Sequence, residues 1–178
     1  MILVTGFGPF LNVTENPSAQ LALSLDGRTF AGHKVIGRVL PVSYERAPAL
    51  TLATVREEGP FSLVLGTGVA RGRAGLCVES VAHPECGAQL DVDGERMTRL
   101  GQGKVASTLD VAELASCLQA TVSGDAGGYV CNAWLYQVAV ALPQTTVGFV
   151  HLPPGGVCVE RFGAGLQRFL VQKRPTNL

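Results

Sequence analysis

Residues 128–151 read GYVCNAWLYQVAVALPQTTVGFVH, and this stretch decides the fold class. Its pattern predicts a short strand at Gly128–Val130, a helix over Asn132–Leu142 and a second strand at Thr146–Val150. A strand, a crossover helix and a second strand form a βαβ unit, whose two strands lie parallel in one sheet. The stretch therefore predicts an α/β fold.

The same alternation of apolar runs and amphipathic segments extends to both sides of this unit. Further strands are predicted at Ile2–Val4, Val35–Val42, Phe61–Leu65 and Leu76–Val81. Further helices are predicted at Pro17–Leu25, Tyr44–Glu58 and Leu109–Gln119, followed by a last helix that buries Phe162, Leu166, Phe169 and Leu170. We expect one domain over residues 1–178, a three-layer sandwich with a mostly parallel, twisted sheet and helices on both faces.

Composition and charge exclude several functional classes. Hydrophobic residues make up 47% of the chain and charged residues only 16%, which favours extensive burial, including a subunit interface. The formal net charge is +0, so no basic excess indicates a nucleic-acid partner. No apolar run reaches the length of a membrane span, and the N-terminus is typical of a first strand rather than of a signal peptide. We expect a cytoplasmic protein.

The five cysteines are odd in number, and no two of them form a C-x-x-C pair. This spacing disfavours both a disulfide framework and a zinc site. Reduced thiols are therefore the simplest interpretation.

Cys131 and His151 are the main candidates for chemistry. Each directly follows a predicted strand, and α/β sheets bind their ligands beyond the carboxyl ends of the strands. Cys131 also lies where the predicted helix begins, and a helix N-terminus favours the nucleophilic thiolate. The βαβ unit would bring both side chains to one sheet edge, as a cysteine nucleophile and its base require. Alternatively, Cys131 is a small buried apolar residue and His151 bonds a loop carbonyl.

Glu79 is less well determined by the sequence. Strand alternation places it on one face with Cys77 and Val81, where a carboxylate must be exposed at an edge or paired. The residues alone favour a solvated strand edge. A pairing with His151 would instead complete a triad that orients the imidazole.

The segment Gly66–Gly72 is similar to a dinucleotide-binding loop after a strand. However, Arg71 stands at the third glycine position, and the following residues are typical of a strand where the fingerprint requires a helix. A nucleoside- or nucleotide-binding α/β enzyme is therefore a secondary hypothesis. The chain contains neither G-x-S-x-G nor H-E-x-x-H, which disfavours serine hydrolases and zinc proteases.

Taken together, a series of collinear motifs resembles the pyroglutamyl peptidase I (pyrrolidone-carboxylate peptidase) family of cysteine peptidases. The motifs are Thr5–Phe10, Asn16–Ser18, Leu40–Val42, Gly68–Arg73, Val78-Glu79, Tyr129–Asn132 and Phe149–Pro153. The resemblance implies a catalytic triad of Glu79, Cys131 and His151. It also implies a cofactor-free cytosolic homo-oligomer, a dimer or tetramer, that removes N-terminal pyroglutamate from peptides through a thioacyl-enzyme.

The resemblance further implies an apolar slot for the lactam ring. The residues at or near the matching positions are Phe7, Phe10, Asn16, Val69, Tyr129 and Val130. Arg73 is an additional candidate, which would add positive potential near the reacting carbonyl.

The chain departs from the family pattern in three places. Leu11-Asn12 replace two glycines, Ser80 replaces a common arginine, and the segment between His151 and the last helix is short. Two other functional classes stay open, namely the nucleotide-binding enzyme and an inactive homologue that binds pyroglutamyl peptides without cleaving them.

Overall fold

A computed structural model describes residues 1–10 and 14–172 of the chain. Leu11-Asn12, which replace two glycines of the family pattern, lie outside the described residues. In chain order, the elements are β1 (Ile2–Phe7), α1 (Pro17–Leu25), β2 (Thr29–Phe30), β3 (His33–Leu40), α2 (Arg46–Glu58), β4 (Leu63–Val69), β5 (Cys77–Glu79), β6 (Val81–Ala82), β7 (Val105–Ala106), α3 (Val111–Leu118), β8 (Thr121–Ser123), α4 (Val130–Ala141), β9 (Thr146–Leu152) and α5 (Val159–Gln172).

Seven strands form one sheet in the order β2-β3-β1-β4-β9-β5-β8, and β6 pairs separately with β7. The central strands β3, β1, β4 and β9 are parallel, whereas β5 runs antiparallel to β9 and parallel to β8. Because four central strands share one direction, their carboxyl ends meet at one edge of the sheet. The predicted fold class, a mostly parallel sheet with helices, is therefore confirmed.

Strand alternation divides the core between the two faces of the sheet. On one face, Ile2 and Val4 of β1 pack in a cluster with side chains of α1, α3 and α5. On the other face, Leu3 and Phe7 belong to a cluster with side chains of α2 and α4. The C-terminal helix buries the four residues predicted from its periodicity, Phe162, Leu166, Phe169 and Leu170.

Two glycines of β4 allow α4 to approach the sheet closely. A Cβ atom on Gly66 would lie 2.5 Å from atoms of both Trp134 and Phe149, and one on Gly68 would lie 2.7 Å from the sulfur of Cys131. Gly66 and Gly68 are part of β4, so the interpretation of this segment as a dinucleotide loop is wrong. The glycines serve helix–sheet packing rather than a phosphate.

The predicted strand at Gly128–Val130 is also wrong. Gly127 adopts a left-handed φ of 81°, Tyr129 is the N-cap of α4, and Val130 is already its first residue. The strand that precedes α4 is β8, and β5 lies between β8 and β9 in the sheet. The two strands joined by α4 are therefore not neighbours.

The predicted strand Leu76–Val81 is divided in the structure. Cys77–Glu79 forms β5 in the main sheet, whereas Val81–Ala82 forms β6 and pairs with β7. The amide of Ser80 between them donates to the carbonyl of Ser123. None of the helices in the described part of the chain has the length and apolar character of a bilayer-spanning segment.

The close contact at Gly66 leads to a stability prediction. Gly66→Ala should lower the free energy of unfolding by about 1–3 kcal/mol, because the new methyl group would overlap two fully buried rings. Denaturant unfolding followed by circular dichroism measures this change. Gly103→Ala is the matched control, since a Cβ atom there meets nothing within 4 Å. Equal stabilities of both variants would contradict the packing argument.

Candidate active site

Cys131 is the second residue of α4, one position after Val130. The amide groups in the first turn of a helix have no carbonyl partner within that helix, and they favour negative charge nearby. The sulfur lies against the backbone of Gly68, close to the carboxyl end of β4. The side chain is half-buried, so the thiol is reachable from outside.

His151 reaches this thiol through the register of the sheet. It pairs with Gly68 across β4 and β9, so it lies beside the glycine against which the sulfur of Cys131 packs. Phe149, two residues earlier on the same face, stacks edge-on against its ring at a centroid distance of 5.0 Å. The thiol and the imidazole therefore meet because α4 crosses over two adjacent parallel strands.

Glu79 lies on the antiparallel neighbour of β9, where it pairs with Phe149. Its Oε1 atom is 2.7 Å from Nδ1 of His151, and its side chain is 0% exposed. The interpretation of Glu79 as a solvated strand-edge residue is therefore wrong. A carboxylate buried this deeply needs a charged or hydrogen-bonding partner, and the imidazole is one.

The environment of His151 favours its charged form. Burial alone lowers the pKa of the imidazole, but hydrogen bonds with Cys131 and Glu79, together with the charges of both groups, raise that pKa to about 9. Since Nδ1 faces Glu79, Nε2 is the nitrogen left for the sulfur. The arrangement can hold a thiolate–imidazolium pair.

A second cation, Arg73, also contacts the carboxylate of Glu79. The Nη2 atom of Arg73 lies 3.1 Å from Oε1 of Glu79 and also donates to Oγ of Ser123 and to the carbonyl of Asp125. Within the described part of the chain, Oε2 of Glu79 is buried and has no hydrogen-bond partner, so both contacts fall on Oε1. Arg73 thus connects the carboxylate of Glu79 to the loop that precedes α4.

An apolar cavity of about 290 Å³ opens on one side of Cys131. Its lining residues are Phe7, Phe10, Asn16, Val42, Val69, Arg71, Gln89, Tyr129, Val130 and Cys131. Phe10 and Tyr129 form its aromatic walls, with their ring centroids 5.3 Å apart. The cavity is large enough for one small ring and offers mainly aromatic and aliphatic surface.

Asn16 lines this cavity but uses its amide locally. Its Oδ1 atom accepts from the amide and hydroxyl of Ser18 at the start of α1, as expected for an N-cap. Its Nδ2 atom donates to the carbonyl of Gly8. Asn16 therefore fixes the end of β1, and with it Phe7 and Phe10.

Several hydrogen bonds hold the loop between β6 and β7 over the same cavity. The hydroxyl of Tyr129 donates to the carbonyl of Leu90, and that of Tyr44 donates to the carbonyl of Gln89. The buried side chain of Asn132 bonds both the amide and the carbonyl of His83. Burial raises the pKa of Tyr44 to about 12, which keeps its hydroxyl protonated as a donor.

A wider opening of about 400 Å³ lies on the other side of Cys131. His151 and Arg73 line this opening and not the apolar cavity. Of the positions predicted for the substrate site, Arg73 is thus the one that the structure separates from the others.

Sequence reasoning missed Val42, Arg71 and Gln89 among the residues that line the apolar cavity. Val42 and Arg71 lie inside the family-like motifs Leu40–Val42 and Gly68–Arg73, whereas Gln89 lies in a loop without periodicity, so no pattern marks it. Within the described residues, no group of three or more histidine, cysteine, aspartate or glutamate side chains has the geometry to hold a metal ion.

Comparison with known proteins is consistent across sequence and structure. Residues 1–160 match the family described as Pyroglutamyl peptidase (Peptidase_C15). The chain is 34% identical to a pyrrolidone-carboxylate peptidase of Saccharolobus islandicus, with 94% of this chain and 84% of that protein covered. It is 35% identical to a pyrrolidone-carboxylate peptidase of Mycobacterium marinum, with 85% and 76% covered.

Among solved structures, the pyrrolidone carboxyl peptidase from Thermococcus litoralis superposes with a TM-score of 0.84 at 25% sequence identity. That superposition covers 96% of this chain and 91% of the other. The fold, the sequence relatives and the family match therefore agree, and the chain belongs to the pyroglutamyl peptidase family.

Proposed function

We propose that this protein is a cysteine peptidase that hydrolyses the bond after an N-terminal pyroglutamyl residue. The observation that carries the proposal is the position of Cys131, which lies between a ring-sized apolar cavity and the buried His151–Glu79 pair. Family membership supports the same activity.

The apolar cavity suits the pyroglutamyl ring, which is compact and uncharged. Phe7, Phe10 and Tyr129 provide flat surfaces for the lactam, and Val69 and Val130 complete the wall near the thiol. An ordinary N-terminal residue carries an ammonium group, whose desolvation in this cavity would be costly. Exclusion of that charge is therefore sufficient to select pyroglutamate.

The first chemical step is attack by the Cys131 thiolate on the carbonyl that joins pyroglutamate to the next residue. A bond forms between Sγ and the carbonyl carbon, and the negative charge moves to the oxygen. Amide groups in the first turn of α4 are positioned to stabilise that oxyanion. His151 then gives its proton to the leaving nitrogen as the C–N bond breaks, which yields a thioacyl-enzyme and a free amine.

The second step hydrolyses the thioacyl-enzyme. Neutral His151 takes a proton from water, and the hydroxide attacks the carbonyl and displaces the thiolate. Glu79 holds the imidazole by Nδ1 in both steps and stabilises its charged form. Arg73 acts through Glu79 as a positioning residue, since its guanidinium contacts that carboxylate.

We also propose that the enzyme works in the cytoplasm as a homo-oligomer, a dimer or tetramer, and that it binds neither nucleic acid nor membrane. Free cysteines suit a reducing compartment, and the balanced net charge provides no basic excess for nucleic acid. Exposed apolar side chains such as Leu50 and Val140, on α2 and α4, suit contacts between subunits.

The decisive test uses a pyroglutamyl-amide reporter. We expect turnover by the wild type and essentially none by Cys131→Ala or Cys131→Ser, because both variants lack the thiolate nucleophile. A thiol alkylator should abolish the wild-type activity. The matched control is Cys158→Ala, which removes an exposed cysteine and should stay active and sensitive to alkylation. Turnover that survives in Cys131→Ala would refute the mechanism, and a wild type without turnover would indicate an inactive binding homologue.

A second prediction concerns the apolar cavity. Phe10→Ala should lower kcat/KM for pyroglutamyl amides by the equivalent of about 1–3 kcal/mol, because ring contacts are lost. Phe30→Ala, on the opposite face of the sheet, is the matched control and should keep normal kcat/KM. Prolyl amides, whose ring nitrogen is charged, should be poor substrates throughout. Equal cleavage of prolyl and pyroglutamyl amides would contradict the desolvation argument.

A third prediction concerns the pH dependence of His151. NMR titration should give the imidazole a pKa of about 9 in the wild type and a lower pKa in Glu79→Gln, because the carboxylate charge is gone. The basic limb of the kcat/KM profile should move to lower pH, and kcat should fall by about two to four orders of magnitude.

The same titration has a consequence for stability. Because folding raises the pKa of His151 to about 9, the charged imidazole stabilises the fold below its ordinary pKa of about 6.5. That contribution is lost as the pH rises through about 9. The free energy of unfolding should therefore differ less between pH 6 and pH 10 in Glu79→Gln than in the wild type. An unchanged His151 titration in the variant would remove Glu79 from the site.

A further inference from the structure

Two separate openings meet at the sulfur of Cys131. The apolar cavity lies on one side and the wider opening on the other, and both are lined by Val69, Tyr129 and Cys131. A substrate that is attacked at this sulfur has its acyl half on one side and its leaving half on the other.

The position of His151 decides which half lies where. His151 lines the wider opening and not the apolar cavity. The imidazolium must reach the nitrogen of the breaking bond, because that nitrogen leaves as an amine and needs a proton. The leaving residue therefore extends into the wider opening, while the pyroglutamyl ring fills the apolar cavity.

The wider opening is lined mostly by small residues. Its walls near the thiol include Ala70, Gly72, Ala126 and Gly127, which have small or no side chains. Such walls leave room for leaving side chains of different sizes. The charged side chains that line the opening beside the catalytic pair are Arg73 and Asp125, and they can discriminate between leaving residues by charge.

Arg73 and Asp125 do not offer their charges equally. The guanidinium of Arg73 is committed to Glu79, Ser123 and the Asp125 carbonyl. The carboxylate of Asp125 accepts from the Gly127 amide, and the residue is exposed. The charge of Arg73 is thus offset by the buried carboxylate of Glu79 behind it, whereas Asp125 presents an exposed carboxylate on the wall of the wider opening.

We propose that the wider opening is the subsite for the residue after pyroglutamate, and that Asp125 makes it prefer basic over acidic side chains at that position. This inference rests on the proposed function. It names the substrate class more narrowly, as peptides in which pyroglutamate is followed by a basic or neutral residue. The carboxylate acts on the acylation step, because the leaving residue has departed before the thioacyl-enzyme is hydrolysed.

The test compares kcat/KM for three amidated dipeptides that differ in the second side chain, namely pyroglutamyl-lysinamide, pyroglutamyl-glutaminamide and the α-amide of pyroglutamyl-glutamate. For the wild type at low salt, we expect the lysine substrate to exceed the glutamate substrate by about fivefold, with less discrimination at high salt. Asp125→Asn should bring the ratio close to one, and Asp125→Lys should invert it. The asparagine Oδ1 atom can still accept from the Gly127 amide, so the loop is kept.

Glu57→Gln is the matched control, because it removes the same charge from the exposed face of α2 and should leave the ratio unchanged. Loss of the preference in both variants would assign it to net charge and overturn the proposal. So would a wild-type ratio near one, or a preference for glutamate. Failure of the proposed function is distinguishable, since none of the three dipeptides would then be cleaved.

Discussion

The close approach of α4 to β4 is the constraint on which the site depends. Gly66 and Gly68 leave no side chains between helix and strand, so Trp134 and the sulfur of Cys131 lie directly against the backbone. The register of the sheet then places His151 next to Gly68. A side chain at Gly68 would overlap the sulfur of Cys131. Because Gly68 has none, Cys131 of α4 can reach His151 of β9.

Buried charge imposes the second condition. Glu79 is inaccessible to solvent, and such a carboxylate is tolerated only with partners that compensate it. His151 and Arg73 are those partners, and both contact the same oxygen, Oε1. The antiparallel strand β5 makes this arrangement feasible, since it brings Glu79 back beside β9 from a loop that also carries Arg73. Removal of either cation would leave the buried carboxylate with one charged partner instead of two.

The loop between β6 and β7 contributes Gln89 to the wall of the apolar cavity. Hydrogen bonds from Tyr44, Tyr129 and Asn132 hold this loop against the apolar cavity. Tyr129 is a shared wall, because it lines both the apolar cavity and the wider opening. The two halves of a substrate would therefore be separated at one aromatic side chain next to the thiol.

Local pattern in the sequence predicted the fold class and most elements, because period-2 and period-3.6 hydrophobicity is a short-range property. Cys131 and His151 were candidates from their positions at predicted strand ends, whereas the triad with Glu79 was implied by the family resemblance. The local pattern did not predict how those groups meet. The strand expected at Gly128–Val130 is a loop and a helix start, because the left-handed Gly127 and the N-cap Tyr129 end the extended chain. For Glu79, strand alternation alone indicated exposure, since burial depends on the neighbours β8 and β9, which lie far away in sequence. The sequence by itself thus identified the candidate residues for the proposed chemistry. Only the tertiary structure, through sheet order, register and the contact of α4 with Gly68, decided that they form one site with two sides.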